Sequence, residues 1–179
     1  MVISKPKRLN PTVLIKNVPS EISDDEITNI ITAQNELDTA ETPQCAFKFT
    51  ARKFTESRHA VIEVSPSLRH TLLQLKRVKL CWNMCPVEDY VAVKRCFKCL
   101  GFGHTSRVCT NSQACTRCAG NHHWSNCDNQ DAEQCKNCIT ANTFISDPKN
   151  KLNTRHNVFS EQCKRFQRVK SIVISKTDY

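Results

Sequence analysis

The sequence CFKCLGFGHTSRVC (residues 96–109), followed by CTRCAGNHHWSNC (residues 115–127), determines how the second half of this chain can fold. Each segment has two cysteines separated by two residues, then a histidine, then a third cysteine. Three thiolates and one imidazole are a ligand set of tetrahedral structural zinc sites, and the C-x2-C turn lets both sulfurs reach one ion. Two adjacent copies of this spacing favour zinc over paired disulfides or coincidence.

We call the two segments knuckle 1 and knuckle 2. Their predicted zinc ligands are Cys96, Cys99, His104 and Cys109 in knuckle 1, and Cys115, Cys118, His122 and Cys127 in knuckle 2. His123 is an alternative to His122, but we favour His122, which leaves His123 free to contact a phosphate or a base. Because four protein ligands leave no position for water or substrate, these sites are expected to hold structure and not to perform chemistry.

A third C-x2-C pair lies further along the chain. Cys135 and Cys138 are followed by His156 and Cys163, which would complete an expanded knuckle 3 (residues 135–163). Its long insertion is tolerable because the cost of loop closure rises only slowly with length. A coincidental cysteine pair is the alternative. The sequence therefore predicts three Zn(II) ions, with the third depending on this weaker pattern.

Composition and charge limit the classes of protein that fit. The formal net charge is +9, and residues 91–179 carry 14 Lys and Arg against 6 Asp and Glu, which suits a polyanionic partner. The amino terminus lacks a long apolar run, and no stretch reaches the roughly 18–20 apolar residues of a membrane span. Thiol-rich zinc motifs without an export signal favour a reducing compartment, so we expect cytoplasm and/or nucleus and no membrane partner.

The first ninety residues alternate strand-like and helix-like segments. A capping box formed by Ser23 and Glu26 predicts a helix at residues 24–34, and Pro66 is a natural start for a second, amphipathic helix. Apolar runs and period-two alternation predict strands at residues 11–19, 45–52, 59–64 and 78–84.

The order βαββαβ predicts an α+β fold, a split-βαβ sandwich of four antiparallel strands with two helices on one face, followed by an array of small CCHC zinc knuckles. This is the topology of the RNA-recognition motif, in which aromatic residues on the first and third strands stack on bases. Leu14, His59 and Val61 stand at those positions here. We therefore expect an RNA-recognition-like domain that contacts protein or supports the knuckles, with direct base stacking as the alternative.

These patterns divide the chain into consecutive segments. The predicted boundaries are a flexible basic arm at 1–11, the RNA-recognition-like domain at 12–85, a short linker at 86–95, knuckle 1 at 96–109, knuckle 2 at 115–127, expanded knuckle 3 at 135–163 and a basic carboxy-terminal segment at 164–179. In that last segment Phe166, Val169 and Val173 share one helical face, which favours a helix.

Aromatic and basic side chains alternate with the zinc ligands. A knuckle has no core in which to bury a ring, and a ring beside a cation is the expected platform for an unpaired base, worth about 1–3 kcal/mol per stacked base. The alternative is that these rings pack on a neighbouring knuckle or on each other. The predicted nucleic-acid contacts are Lys94, Arg95, Phe97, Lys98, Phe102, Arg107, Arg117, His123 and Trp124.

The arrangement resembles the Gag-like protein encoded by the first reading frame of arthropod-type non-LTR retrotransposons. The segments that carry this resemblance are KRCFKCLGFGHTSRVC, CTRCAGNHHWSNC, CKNC with HNVFSEQC, and the trailing basic segment. The resemblance implies RNA binding and assembly into a ribonucleoprotein with the element's own transcript. Leu100 departs from the glycine common after the second cysteine of retroviral knuckles, and the insertion in knuckle 3 is a second departure.

The leading interpretation is a zinc-dependent single-stranded RNA-binding protein, with single-stranded DNA as a further ligand, that packages retrotransposon RNA and associates with itself or with other retrotransposon proteins. One alternative is a self-assembly or protein-interaction module in which nucleic-acid binding is secondary. Another is a host zinc-knuckle RNA-binding protein. An enzyme is not expected, because no nucleophile is paired with a base and no carboxylates cluster.

Overall fold

The computed structural model of this protein describes residues 8–35, 37 and 45–179. The chain forms two compact units: unit 1 comprises Met1–Ala92 with Ile174–Tyr179, and unit 2 comprises Val93–Val173. The first seven residues of the predicted amino-terminal arm lie outside the described residues.

The described residues of unit 1 form a five-stranded antiparallel sheet and two helices. Along the chain these are β1 (Thr12–Pro19), α1 (Asp24–Gln34), β2 (Cys45–Lys53), β3 (Ser57–Val64), α2 (Pro66–Leu75), β4 (Arg77–Leu80) and β5 (Asn83–Tyr90). The sheet has the order β2-β3-β1-β5-β4, and every pairing is antiparallel. The protein is therefore α+β, as the sequence predicted, with one strand more than expected.

Both helices begin where their caps predict. At α1 the Ser23 hydroxyl accepts from the Glu26 backbone N–H, and the Glu26 carboxylate accepts from the Ser23 N–H at 2.9 Å, which completes the capping box. At α2 the Ser65 hydroxyl accepts from the N–H of Leu68, and Pro66 occupies the first turn, where its missing donor costs nothing.

The predicted fourth strand, residues 78–84, is wrong in one respect: it is two strands. The chain reverses at Cys81, whose φ is +54°, so that Leu80 pairs with Asn83 across a tight hairpin. Trp82 stands at the tip of this hairpin and is 97% exposed. The second strand, β5, continues to Tyr90 through residues that the sequence analysis assigned to a linker.

The core of unit 1 lies between the helices and one face of the sheet. Alternate residues of β1 and β3 point inward, as the two-residue period of a strand requires, and they meet the apolar stripes of both helices. The fully buried members include Val13, Ile15, Ile27, Ile31, Ile62 and Leu72. This continuous apolar layer forms one hydrophobic core for unit 1.

The opposite face of the sheet carries the residues between those inward positions. Leu14 of β1 pairs with Val61 of β3, and His59 lies two residues before Val61. Phe49 and Tyr90 meet edge to face on this sheet, with ring centroids 6.3 Å apart. Leu14, His59 and Val61 thus lie on a face where none of the three is Phe, Tyr or Trp, while a separate aromatic pair lies on the flanking strands.

The first described residues and the last residues of the chain meet in unit 1. The Leu9 N–H donates to the carbonyl of Lys176 at 2.9 Å, and the Asp178 N–H donates to the carbonyl of Leu9 at 2.8 Å. The Arg69 guanidinium lies 4.5 Å from the centre of the Tyr179 ring and forms an ion pair with Asp89. Residues 176–179 thus pack beside the segment around Leu9, which precedes β1.

Unit 2 has little regular structure. It contains α3 (Lys136–Asn142), most of α4 (Lys164–Ser175) and three short 3-10 helices at Ser106–Val108, Trp124–Asn126 and Pro148–Asn150. The helix favoured for the carboxy-terminal segment is confirmed as α4. Helix α3 contains the ligand Cys138 and extends into the insertion of knuckle 3 (residues 139–155), where the sequence analysis predicted no element.

Candidate metal centres and nucleic-acid interface

Knuckle 1 is a tight turn that brings its four predicted ligands together. The Cys96 N–H donates to the carbonyl of Gly101 at 2.8 Å, which closes the loop that carries Cys99. The Cys99 sulfur lies 3.3 Å from Nε2 of His104. A side chain at Gly101 would approach the Cys99 sulfur at 3.3 Å, so this glycine gives the turn room beside the ligand.

Knuckle 2 repeats the same turn. The Cys115 N–H donates to the carbonyl of Gly120 at 2.8 Å, and the Cys118 sulfur lies 3.5 Å from Nε2 of His122. His123 points elsewhere: its Nδ1 accepts the backbone N–H of Ser125. The structure therefore groups His122, and not His123, with the three thiols.

Knuckle 3 assembles from segments that are far apart in sequence. The Cys163 sulfur lies 3.7 Å from that of Cys135 and 3.5 Å from that of Cys138, and the Cys138 sulfur lies 3.6 Å from Nε2 of His156. The insertion is closed by Asn142, whose side chain both accepts from the N–H of Leu152 and donates to its carbonyl. These two hydrogen bonds hold the ends of the long loop together. The loop separates the ligand pair Cys135 and Cys138 from the pair His156 and Cys163.

The donor sets fit zinc in kind and in spacing. Zn–S and Zn–N bonds of about 2.3 and 2.0–2.1 Å in a tetrahedron place two sulfurs about 3.8 Å apart and a sulfur and a nitrogen about 3.6 Å apart. In each knuckle the four ligand atoms lie within 4.8 Å of one another, and the distances given above are close to these values. All twelve cysteines are free thiols. The three Cys3His groups are consistent with three Zn(II) sites that hold the fold.

The electrostatic surroundings of the thiols differ between the knuckles. Desolvation raises the pKa of Cys96, but backbone N–H groups of Cys99 and Lys98 donate to its sulfur and bring the pKa down to about 6. In knuckle 3, burial and the neighbouring Cys163 thiol raise the pKa of Cys138 to about 12. Since the thiolate is the form that binds a metal, metal loading of knuckle 3 must displace the proton of the Cys138 thiol.

The structure explains why leucine stands at position 100, where retroviral knuckles commonly have glycine. Its φ is +64°, in the left-handed region where glycine is favoured, yet its side chain is fully buried. That side chain packs with Ala114, Val158 and the knuckle 3 ligands Cys135 and Cys138. A left-handed conformation costs about 1–2 kcal/mol, and burying a leucine returns about 1.5–3 kcal/mol. Leu100 therefore joins knuckle 1 to knuckle 3.

Arg95 is a second link within unit 2. Its guanidinium lies 5.0–5.3 Å from the centres of the rings of Phe102, Phe159 and Phe166, and it donates to the carbonyl of Val158 at 3.1 Å. Burial lowers the pKa of Arg95, while the nearby thiols of Cys163 and Cys135 act to raise it. A half-buried cation surrounded by three rings stabilises the packing of knuckle 1, knuckle 3 and α4.

The predicted nucleic-acid contacts fall into two groups. Lys94, Phe97, Arg107, His123 and Trp124 are exposed, with Phe97 71% accessible. The others have internal partners. Lys98 Nζ donates to the carbonyl of Cys109, Arg117 lies over the Trp124 ring, and Arg95 and Phe102 belong to the cluster described above. The alternative in which rings pack on a neighbouring knuckle thus describes Phe102. The Phe97 ring also meets Phe159 of knuckle 3, with centroids 6.3 Å apart, and the Trp124 ring meets that of His123 at 5.3 Å, but both keep open surface.

Sequence reasoning missed the residues that join the knuckles. Leu100 was noted only as a departure, and the insertion was described as polar with a basic end, with no element predicted, although its first residues belong to α3. Residues 136–142 contain neither proline nor glycine, which is compatible with a helical turn. The three-ring cluster around Arg95 had no comparable local pattern, because its members are up to 71 residues apart.

Comparison of the chain with family models, with curated proteins and with solved structures found no match. Within the described ranges, no helix has the length and apolar character needed to cross a membrane. The site itself therefore carries the functional argument.

Proposed function

We propose that this protein is a zinc-dependent, single-stranded nucleic-acid-binding protein whose principal ligand is RNA. The observation that carries the proposal is that aromatic side chains of unit 2, on or beside the zinc-type knuckles, are exposed to solvent. Phe97, Trp124 and Phe144 are each at least 48% exposed on a unit with a marked excess of Lys and Arg. Exposed rings among cations are the usual platform for unpaired bases, and four ligands per site suit a binding protein better than an enzyme.

The test is fluorescence anisotropy with a labelled oligouridylate of about 12 nucleotides, within the usual site size of single-strand binders. We expect affinity to fall steeply with salt, by a slope of about −0.7 per phosphate contacted. Treatment with a chelator should abolish binding, and added zinc should restore it. Salt-independent binding, or binding unchanged by a chelator, would contradict the proposal.

The finer part of this proposal is that the protein packages the RNA of a non-LTR retrotransposon in the cytoplasm or nucleus. Its support is the resemblance of the three motifs and their order to Gag-like proteins. The order β2-β3-β1-β5 also supports a fold of the RNA-recognition kind, because it corresponds to the order of a split βαβ sandwich with one added hairpin strand. Sequencing of RNA cross-linked to the protein in cells tests this part: one repetitive transcript should dominate, whereas a broad set of host messages would favour a host RNA-binding protein.

A second candidate function is self-assembly or protein contact through unit 1. Its support is the sheet face in which Leu14, His59 and Val61 replace stacking aromatics, together with Trp82, which the hairpin places in solvent. Light scattering of nuclease-treated protein tests it. Oligomers that persist without RNA and that Trp82→Ser dissolves would support assembly through unit 1, and a monomer at all concentrations would exclude it.

A further inference from the structure

Unit 2 contains a groove beside the knuckle 1 loop that the sequence analysis did not identify. Its volume is about 1100 Å³, and knuckle 1, α3, the insertion of knuckle 3 and α4 all contribute to its wall. This volume is at the upper end of the range for small-ligand sites, about 300–1000 Å³. The space suits a segment of an extended polymer better than a single metabolite.

The walls of this groove are fixed by hydrogen bonds and burial. The Asn137 side chain donates to the carbonyl of Leu100 at 2.9 Å, which ties α3 to knuckle 1. The paired hydrogen bonds between Asn142 and Leu152 close the loop that carries Phe144. The groove is therefore shaped before any ligand arrives, which lowers the ordering cost of binding.

The side chains in the groove divide into a ring, an apolar floor and a set of cations. The Phe144 ring is 84% exposed, and Ala141, Leu152 and Val169 form apolar surface near it. The cations are Lys136, Lys164, Arg165 and Arg168, and the described residues lining the groove include no carboxylate. In the described part of the chain no acidic side chain forms an ion pair with any of these four cations. This combination matches the two faces of a nucleotide, an apolar base and an anionic phosphate.

We infer that this groove binds one or more unpaired nucleotides of a single-stranded nucleic acid, with Phe144 stacking on a base and Lys136, Lys164 and Arg168 contacting the phosphates. This inference rests on the proposed function and assigns it a site away from the exposed rings Phe97 and Trp124. It also gives the insertion of knuckle 3 a role, because that insertion supplies Phe144.

The chain offers a matched pair of variants to test this site. The groove variant is K136Q/K164Q/R168Q, and the control is K149Q/K151Q/R155Q, which removes two lysines and one arginine from exposed positions of the same unit outside the groove. Anisotropy with the labelled oligouridylate is measured over a range of salt concentrations. Three lost phosphate contacts should reduce the salt slope by about 2 and the affinity at least about tenfold. The control should keep the wild-type slope.

Phe144 separates stacking from charge. F144A should weaken oligouridylate binding about tenfold without changing the salt slope, and F144W should restore it, because base stacking tolerates any flat ring. A poly-glutamate peptide is the probe for an acidic protein partner, and we expect it not to compete. Zinc content and circular dichroism of each variant confirm that the fold is kept.

The outcomes separate this inference from the proposed function. If the wild type binds RNA but the groove and control variants lose affinity equally, or F144A binds like the wild type, the groove assignment is overturned and the proposed function stands. If the wild type does not bind RNA at all, both fall. Equal competition by poly-glutamate, unaffected by F144A, would also overturn the assignment to nucleotides.

Discussion

The two units of this protein are stabilised in opposite ways. Unit 1 has 16 buried apolar residues in one cluster among its described residues, whereas the corresponding cluster of unit 2 has six, of which Cys135, Cys138 and Cys163 are metal ligands. Small units that cannot bury enough apolar surface need disulfides or metals. The sheet unit is therefore held by ordinary packing and the knuckle unit by its ligand sets. Within unit 2, Leu100 and Arg95 join knuckle 1 to knuckle 3.

Removal of the metal should produce the largest difference in stability between the two units. A structural zinc contributes about 10–16 kcal/mol of folding free energy to a small knuckle, so a chelator should unfold unit 2 and leave unit 1 folded. Amide NMR spectra before and after chelation report on each unit separately. Signals from residues 93–173 should collapse to the unfolded range, while those of β1 and β3 stay dispersed. A chelator already saturated with zinc is the control, and retention of both sets of signals after chelation would contradict this division.

The reverse experiment destabilises the sheet unit alone. Leu72 is fully buried between α2 and the sheet, so Leu72→Ala should lower the free energy of unfolding of unit 1 by about 2–5 kcal/mol. Leu75→Ala, at a position 48% exposed on the same helix, is the control and should cost much less. Denaturant titration followed at unit 1 amides measures the change. Zinc content should stay at the wild-type value, and loss of zinc in Leu72→Ala would show that the units do not fold separately.

Leu100 tests whether the knuckles are joined or independent. In an isolated knuckle, Leu100→Gly would relieve the left-handed backbone and stabilise the turn. If Leu100 packs knuckle 1 on knuckle 3, the same change should destabilise unit 2 by about 1–3 kcal/mol, because lost burial exceeds the relieved strain.

Ala119 supplies the matched control, since it occupies the same left-handed position in knuckle 2 with φ of +62° and only a methyl group to lose. Ala119→Gly should change the stability of unit 2 by less than about 1 kcal/mol, in the stabilising direction. Both variants are compared by denaturant titration in a zinc buffer. A stabilising Leu100→Gly would show that knuckle 1 stands alone.

The smallest expected effect concerns the cap of α1. Ser23→Ala removes the hydroxyl that accepts from the Glu26 N–H and should destabilise unit 1 by about 1 kcal/mol. Ser23→Asp keeps an acceptor there and should recover most of that loss. Thermal unfolding followed by circular dichroism of the zinc-loaded protein detects a change of this size. An unchanged midpoint in Ser23→Ala would mean that the cap does not contribute.

The sequence was sufficient for features that depend on neighbouring residues. The zinc ligands of knuckles 1 and 2 follow from spacing within a few residues, and the capping box at Ser23 and the proline at Pro66 mark helix starts locally. It was insufficient at the hairpin, because Cys81 and Trp82 carry none of the usual turn residues and the run around them reads as one strand. The sequence was also insufficient to predict the contacts of Leu100 and Arg95 that join the knuckles, and to predict the groove. These features combine side chains from knuckle 1, α3 and α4.

We infer that twelve side chains hold three zinc ions and that these ions stabilise the fold of unit 2. Native mass spectrometry of the purified protein, with and without a chelator, tests it most directly. We expect the protein to carry three zinc ions and to lose all of them on chelation. All twelve cysteines should then react with an alkylating agent once the metal-free chain is denatured. A folded protein that carries no metal and has its cysteines paired as disulfides would contradict it.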